Sequence, residues 1–560
     1  METPYTAPSS ASNQDLQLTP LIRALLRKRG LEDEEAIRSF LKPSYELDLA
    51  DPFLMIDMDK AVARIQQAIT RKEKVAVYGD YDVDGIVSTA LALELLEAQG
   101  LNPISYIPDR YSEGYGLHIA ALEQLKKQGV TLIVSVDCGI TATEAAAWAQ
   151  QNNIDLIITD HHEVPAELPQ ALAVVNPKRP SDQYPFKELA GVGVVFALVR
   201  ALQQRTGLPE KGREKWMLDL VAIGTVCDVM PLVGENRVLV KYGLIVLQKT
   251  KRVGLVALAQ SADIDLAAVR AYHLGFVFGP RLNAAGRLEH ANYGLELMVT
   301  SDPIVAQQMA FHLEELNHQR RLEQDRVLRE ADAAATERPD DAVLVLADPG
   351  WPHGVVGIVA SKLAEKWQRP ALVLQDLGDG KLKGSGRSYG LYSLITALRA
   401  NEELFDRLGG HDFAAGFTLP AANLELLRQG LQDHYQTFSL AEDRPAAREA
   451  DAVIDSATDV NWELLSQLEL LEPFGNGNPQ PLFELGDIKI IDVMAIGKDR
   501  QHLKLRLAAE EGGILEAIGF NLAEKYPNIK AGQTVNVQHY IEKNQFQGRT
   551  QLQLVLVAIQ

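Results

Sequence analysis

From Lys74 to Asp228 the chain alternates short apolar runs with longer stretches whose apolar residues recur at helical spacing. The runs "VAVYG", "NPISYIP", "TLIVSVD", "IDLIITD" and "LAVVN" are rich in β-branched residues and predict five strands. Between them, "IVSTALALELLEAQG" and "IAALEQLKKQG" predict amphipathic helices. Such alternation predicts an α/β fold built on a doubly wound parallel sheet. In sheets of that kind the chemistry lies beyond the carboxyl ends of the strands.

The pattern changes on either side of this block. Leu21 to Leu41 alternates apolar and charged residues at helical spacing and stops at Pro43. From Pro303 to about Glu337 the sequence holds no internal glycine or proline and predicts one long charged helix, a strut between domains. "DAVLVLADP" at Asp341 opens a second α/β unit that runs to about Ser439, and the polar stretch "AEDRPAAREAD" reads as a linker. From about Ala452 to Gln560 come β-rich runs with Gly/Asn turns and one helix, Trp462 to Leu470, which suggests a small OB-like β-barrel. There are no internal repeats. The expected layout is a disordered leader (1–20), an N-terminal helical region with the first α/β domain (21–300), a connecting helix (301–338), a second α/β domain (339–440) and the OB-like domain (450–560).

Composition narrows the class. The 560 residues are 46% hydrophobic and 6% aromatic, enough for several cores. No run of about 18 apolar residues is free of charge, so no membrane span is expected. The first residues lack the basic and apolar regions of a secretory signal. Two cysteines, Cys138 and Cys227, suit a reducing cytoplasm, exclude a disulfide framework or zinc cluster, and are expected as small buried residues. A net charge of -20 argues against a uniformly basic nucleic-acid coat but not against a local basic groove. A monomer is the expected state.

The chemistry begins at "GDYDVDG", where Asp80, Asp82 and Asp84 alternate and Gly85 follows. The pattern opens like an EF-hand loop, yet Leu91 occupies the twelfth position, which needs a bidentate glutamate, and an apolar strand precedes it. A solvated turn is the plain alternative, since aspartate is common where helices start. Three carboxylates about 5 Å apart, however, repel by about 3 kcal/mol per pair at an effective dielectric of about 20. Bridging cations remove that cost, and hard oxygen ligands suit Mn²⁺ or Mg²⁺. Further strand ends carry acids: Asp137 in "SVDCG", Asp160 before His161 and His162 in "TDHHE", and Asp228 in "GTVCDVMPL". Parallel strands bring such ends to one edge, so Asp82, Asp84, Asp137, His161 and Asp228 form one candidate site. Carboxylates with one imidazole fit two divalent ions bridged by a carboxylate, a centre suited to phosphoester hydrolysis.

These motifs resemble the DHH phosphoesterase superfamily and, within it, the bacterial RecJ exonucleases that degrade single-stranded DNA from its 5′ end. The resemblance extends in order through "GFVFGPRLNAAGRL", "GSGRS", "GGHDFAAGF" and "LEPFGNGNPQPLF" and covers nearly the whole chain. It implies two divalent metal ions, Mn²⁺ or Mg²⁺, held by Asp82, Asp84, Asp137, His161 and Asp228, with Asp137 bridging. It implies that Asp80 supports the first ion and that His162 faces the scissile phosphate. Many superfamily members carry a histidine where this chain has Tyr78, which leaves the coordination of the first ion open.

A nuclease must also grip phosphate. Arg110, Arg281 and Arg387 lie among glycines, and Ser385 and Gly386 share the segment of Arg387. Spacing alone leaves each arginine open between a phosphate contact and a surface ion pair. The resemblance implies that Arg110, Arg281, Ser385, Gly386, Arg387 and His411 line the strand path, some of them as a pocket for the 5′-terminal phosphate. Arg281 or His162 would neutralise developing charge, and His411 would position the scissile phosphate. In the C-terminal segment, Lys498, Arg500, Lys504, Arg506, Lys543, Arg549, Tyr540 and Phe546 suggest either a basic stacking surface or an ordinary solvated sheet face. The implied activity is stepwise release of 5′-mononucleotides in recombination and repair, with a single-strand-binding protein and a RecQ-type helicase as partners. The alternatives are a phosphodiesterase of short oligonucleotides or cyclic dinucleotides, and a non-catalytic replication factor of the same fold.

Overall fold

The computed structural model describes residues 17–439, 449–509, 513–546 and 549–560. Most of the expected leader and of the 441–451 linker therefore lies outside the described residues. The chain forms two compact units: one takes Ala50–Met230 and Leu239–Ala447, the other the residues up to Leu49, Pro231–Val238 and Arg448–Gln560.

The larger unit opens with five parallel strands: β1 (Val75–Tyr78), β2 (Ile104–Tyr106), β3 (Leu132–Val136), β4 (Asp155–Thr159) and β5 (Ala173–Val175). All five expected strands are present. Every residue of β1 and β3 is buried, which is why their sequences are continuous apolar runs rather than alternating ones. On one face Ala76, Ile133 and Ile158 pack against Leu122, Leu125 and Ala146, from helices Ile119–Lys127 and Thr143–Gln151. Helices Val83–Ala98, Gly191–Thr206 and Leu218–Cys227 pack together elsewhere in this unit. They are buried almost all round, hence their few polar residues. The sheet order is β2-β1-β3-β4-β5, so the winding direction reverses between β1 and β3. That switch point opens a crevice at the strands' carboxyl ends.

The same unit holds a mixed sheet of β6 (Leu344–Asp348), β7 (Ala371–Asp376), β8 (Lys381–Arg387), β9 (Arg407–His411) and β10 (Ala414–Pro420), ordered β6-β7-β8-β10-β9. Only β6 and β7 run parallel. The long helix spans Pro303–Thr336 and starts where Asp302 Oδ1 accepts the Ile304 amide at 2.8 Å. It is more than a strut, because Val327, Ala331 and Ala335 enter the core formed by Leu344, Leu346, Val355 and Val359.

The smaller unit contains β11 (Ala452–Ile454), β12 (Phe483–Ile496), β13 (His502–Ala508), β14 (Ile514–Gly519), β15 (Thr534–Phe546) and β16 (Arg549–Ile559). The order β12-β13-β14-β16-β15 closes when β15 pairs back onto β12, giving a five-stranded barrel with β11 added beside β12. This is the expected OB-like architecture. Leu503, Leu505 and Leu507 face its core, while Lys504 and Arg506 on the opposite face engage Glu516 at 3.2 and 3.4 Å. The side chains of Phe546 and Arg549 lie outside the described residues.

Helices Pro20–Lys28 and Glu34–Leu41 belong to this unit as well. Ile22, Leu25, Leu26, Ile37 and Leu41 join Leu464, Leu468 and Phe483 in one core. The expected layout grouped this region with the first α/β domain. The structure packs its apolar stripe with the barrel, whose core buries it from water. Arg237, 1% exposed, fixes the arrangement by donating to the carbonyls of Phe40, Leu470, Leu471 and Glu472 at 2.6–3.1 Å. Among the described residues no helix is long and apolar enough to cross a membrane.

Candidate active site: a metal centre beside a cationic pocket

The turn after β1 carries Asp80, Asp82 and Asp84 to the switch point. Asp82 caps helix Val83–Ala98 and accepts the Gly85 amide at 3.0 Å, a common role for aspartate at a helix start. Asp84 is 1% exposed and turns inward, where its two oxygens accept the amides of Gly191 and Val192 at 2.7 and 3.1 Å. These amides open the next helix, whose dipole favours a negative group there. Asp137, directly after β3, has φ +59°. Val229, directly after Asp228, has φ +58°, a left-handed conformation that costs a β-branched residue about 1–3 kcal/mol. Strain is thus stored where the carboxylates converge.

Three overlapping groups of ligand atoms result, each with members within 4.8 Å of one another: Asp80, Asp82 and Asp137; Asp84, His161 and Asp228; and Asp137, His161 and His162. Nε2 of His161 lies 3.2 Å from Oδ1 of Asp137 and 3.5 Å from Oδ2 of Asp228. Asp80 Oδ1, Asp137 Oδ1, Asp228 Oδ2 and both ring nitrogens of His161 are buried without a hydrogen bond. Burial, then the neighbouring carboxylates, drive Asp80 and Asp137 well above the ordinary range and push Asp84 up to about 7 and Asp228 to about 9. Burial and then the positive His162 hold His161 neutral, at about 3. Orphaned acceptors that repel one another, with one neutral imidazole, are a donor set that fits a pair of hard divalent cations.

Asp160 stays outside these groups. It is fully buried and accepts the amides of Ile140, His161 and His162 at 2.7–3.0 Å, as well as His162 Nδ1 at 2.7 Å. Burial opposes its charge, but the contacts with His162 outweigh it and hold the carboxyl below its usual range. The same contact overcomes the burial of His162 and pushes that imidazole up to about 9. Tyr78 is no ligand here: its hydroxyl donates to the Gly116 carbonyl at 3.0 Å and its ring stacks on Tyr106. Cys138 is buried and Cys227 half-buried; both are free thiols.

Beside the metal centre lies a cavity of about 550 Å³ walled on one side by the loops after β1 and β2 and helix Gly279–Leu288, and on the other by helix His353–Trp367 and the mixed sheet. Tyr81, Arg110, Tyr115 and Arg287 line it from one side, and His353, Ser361, Lys383, Ser385 and Arg387 from the other. Tyr115 ties it to the metal centre through a 3.2 Å contact with His162 Nδ1. Among the described residues no carboxylate lines it. Burial and then the mutual repulsion of its cations lower Arg287 to about 10 and His353 to about 3, and also lower Arg387. Arg110 stacks over Tyr81 at 4.8 Å, and Arg387 donates to Ser385 at 2.8 Å. Uncompensated cations under glycine-lined backbone are suited to phosphate.

The expected substrate residues divide. Arg110, Ser385 and Arg387 meet in this cavity. Gly386 lies on the other face of β8, because a Cβ there would meet Leu372 and Leu394 of the core. Arg281 is turned to the long helix, where it pairs with Glu314 at 2.5 Å. His411 is exposed on the edge strand β9 and is not among the lining residues. Sequence reasoning gave no role of their own to Arg287, noted only as a neighbour of Arg281, or to the strand-end acid Asp160, and it passed over His353 and Lys383. It also passed over Gly191 and Gly224: a Cβ on the first would collide with Asp137 Oδ1, and on the second would sit 2.5 Å from Asp84 Oδ1.

Three family descriptions match the chain: "DHH family, N-terminal domain" over residues 74–225, "DHHA1 domain" over 340–437 and "RecJ OB domain" over 450–558. The single-stranded-DNA-specific exonuclease RecJ of Bacillus subtilis is 38% identical over 97% of this chain and 68% of its own length. That of Escherichia coli is 32% identical over 96% of both chains. The chain belongs to the RecJ family. The crystal structure of Thermus thermophilus RecJ in complex with Mn²⁺ superposes with a TM-score of 0.82 at 30% identity, over 97% of this chain and 76% of that one. The Mg²⁺ complex of the same RecJ gives 0.76 at 28% identity. The first parallel sheet, the mixed sheet and the barrel described above correspond to these three matched segments.

Proposed function

We propose that this chain is a metal-dependent exonuclease that degrades single-stranded DNA from its 5′ end and releases 5′-mononucleotides. The observation that carries the reading is the chain of three ligand groups linked through Asp137 and His161, beside a cavity whose described lining residues include cations and no acid. The names of the RecJ relatives and the Mn²⁺ and Mg²⁺ complexes of Thermus RecJ support it.

Asp80, Asp82 and Asp137 would hold one divalent cation and Asp84, His161 and Asp228 the other, with Asp137 Oδ1 3.2 Å from His161 Nε2 and so close to both groups. Such a pair, when bound, acidifies a water and neutralises charge on the scissile phosphate. The chain's own residues do the rest. Asp160 fixes Nδ1 of His162 and keeps the ring protonated, so its Nε2 is the nitrogen left to meet a phosphate oxygen. Arg110, Ser385 and Arg387 receive the 5′-terminal phosphate, which sets the reacting bond at a fixed distance from the carboxylates and makes cleavage end-dependent. The backbone of Gly386 supports the strand holding two of these groups. Arg281 and His411 act along the path of the strand outside that pocket.

The barrel is the second hold on the strand, in keeping with the RecJ OB description. The sequence boundaries set out above delimit the working domains, except that helices Pro20–Lys28 and Glu34–Leu41 go with the barrel. The setting is recombination and repair in the cytoplasm, as a monomer working with a single-strand-binding protein and a RecQ-type helicase; the family resemblance is the support for these points. A complete ligand set and the presence of the barrel favour this reading over a small-oligonucleotide phosphodiesterase or a non-catalytic factor. The test is nucleotide release from 5′-phosphorylated single strands with Mn²⁺, using Asp137→Ala as the control. Release by the variant equal to the parent, or none by the parent, would overturn the proposal.

A further inference from the structure

The cationic cavity does not end at Ser385. A second cavity of about 540 Å³ shares His353, Lys383, Gly384 and Gly416 with it and continues along the mixed sheet. Register explains what the continuation presents. Ser385, Gly416 and Gly409 lie opposite one another across β8, β10 and β9, and Lys383, Thr418 and Arg407 form the next row on the same face. Successive rows on one face are about 7 Å apart. A Cβ at Gly409 or Gly416 would meet nothing within 4 Å, so the floor between the rows is open backbone. The side chains of Lys383 and Arg407 form no hydrogen bond or ion pair among the described residues, whereas Lys381 pairs with Asp406 at 3.0 Å.

The lining sets three cations, Lys381, Lys383 and Arg407, against one carboxylate, Asp406, which Lys381 already pairs, so the net charge favours an anionic occupant that extends from whatever Ser385 and Arg387 hold. It need not be a nucleobase. Among the described lining residues Phe417 is 4% exposed and packs into the core, which leaves the half-buried His353, shared by both cavities, as the ring that lines it. Burial, then the charges of Arg110 and Arg407, lower the Lys383 ammonium, as expected of a cation awaiting an anion. One sheet row matches the reach from a terminal phosphate to the phosphates linked beyond it.

We propose that this second cavity receives the β- and γ-phosphates of a 5′-triphosphorylated single strand, so that such ends are substrates. The inference rests on the proposed exonuclease function. In the first cut, water oxygen bonds to the phosphorus between the first two nucleotides and the bond to the first nucleoside's 3′-oxygen breaks. That oxygen takes a proton from the water, and both anhydride bonds stay intact. The first product is therefore a nucleoside 5′-triphosphate, and every later product a 5′-monophosphate.

The experiment compares single strands of one sequence carrying a 5′-monophosphate or a 5′-triphosphate, labelled in the first nucleotide, with full-length protein and Mn²⁺. The expected result is digestion of both, with nucleoside triphosphate as the first labelled product. Arg407→Ala and the double variant K381A/R407A are expected to slow the triphosphate strand at least tenfold and the monophosphate strand less than twofold. Both positions are exposed, so folding is retained, and the monophosphate strand reports it. An undigested triphosphate strand, a monophosphate first product, or equal slowing of both strands would overturn the inference while leaving the exonuclease reading intact. Failure to digest the monophosphate strand would overturn both.

Discussion

Nε2 of His161 faces Oδ1 of Asp137 at 3.2 Å, and neither atom makes a hydrogen bond. A neutral imidazole and a buried carboxyl whose ionisation is opposed by burial and by the neighbouring carboxylates thus face the same space. Protein groups do not satisfy that arrangement, but a shared cation does. Mn²⁺ is therefore expected to raise the melting temperature by an amount that grows with its concentration, equivalent to about 2.7 kcal/mol at a hundredfold excess over Kd. In Asp137→Ala the shift should shrink to that of one weakened site, while the metal-free variant melts no lower than the metal-free parent. Thermal melts in EDTA and in graded Mn²⁺ check this directly. An identical Mn²⁺ response in both proteins would contradict it.

Arg387 bonds Ser385 within a cavity whose described lining residues include no acid. Charge-assisted bonds to phosphate are worth about 1.5–3 kcal/mol, or roughly 10- to 150-fold. Arg387→Ala is thus expected to lower kcat/KM on 5′-phosphorylated strands by that factor and to leave 5′-hydroxyl strands nearly unaffected. Rates on the two strand types, measured side by side, test the assignment.

The metal centre is packed against backbone with no room to spare. Gly224 lies so close to Asp84 that a methyl group would press on its carboxylate as well as on Val192 and Val87. Gly224→Ala should cost about 1–3 kcal/mol of stability through overpacking. It should also weaken metal affinity by about 10- to 100-fold, the usual penalty for disturbing a ligand's support. Metal titration of activity separates the two effects, because excess Mn²⁺ restores the rate if the fold persists.

His539 lies fully buried in the barrel unit, where burial lowers it to about 4 although the Tyr540 carbonyl works the other way. Its unfolded value is about 6.5, so below that pH the unfolded chain binds a proton that the folded chain refuses. Stability should then fall as pH drops from about 6.5 towards 4, by about 2 kcal/mol at pH 5. His539→Leu is expected to flatten this part of the pH–melting profile.

Much of the centre was legible in the chain because each acid directly follows an apolar run. Strand polarity carries Asp82, Asp137 and His161 to one edge, whereas Asp228, expected at a strand end, instead caps helix Leu218–Cys227, which delivers it to the same place. The phosphate pocket was less so. Ser385 and Arg387 flank Gly386 with period two, so the alternation that gathers the pair sends the glycine into the core. Arg281 looked similar to Arg387 among its glycines, yet it sits on a helix whose rotation turns it to Glu314. Arg287 and His353 belong to elements joined only in three dimensions, and no spacing announces that. Tyr78 stands where a ligand was conceivable, but its ring stacks on Tyr106 in a core that local sequence does not reveal.

One joint between the two sheets has a mechanical meaning. Tyr111 donates its hydroxyl to the Arg287 carbonyl, Arg287 reaches the Gly354 carbonyl at 3.1 Å, and a Cβ on Gly354 would strike the Arg287 carbonyl. The carboxylates stand on one side of this joint, and Ser385 and Arg387 on the other. The length of each bite taken from a strand is thus set by the fit of this joint rather than by the chemistry alone. A wedge as small as one methyl group at Gly354 would change the gauge before it touched the blade.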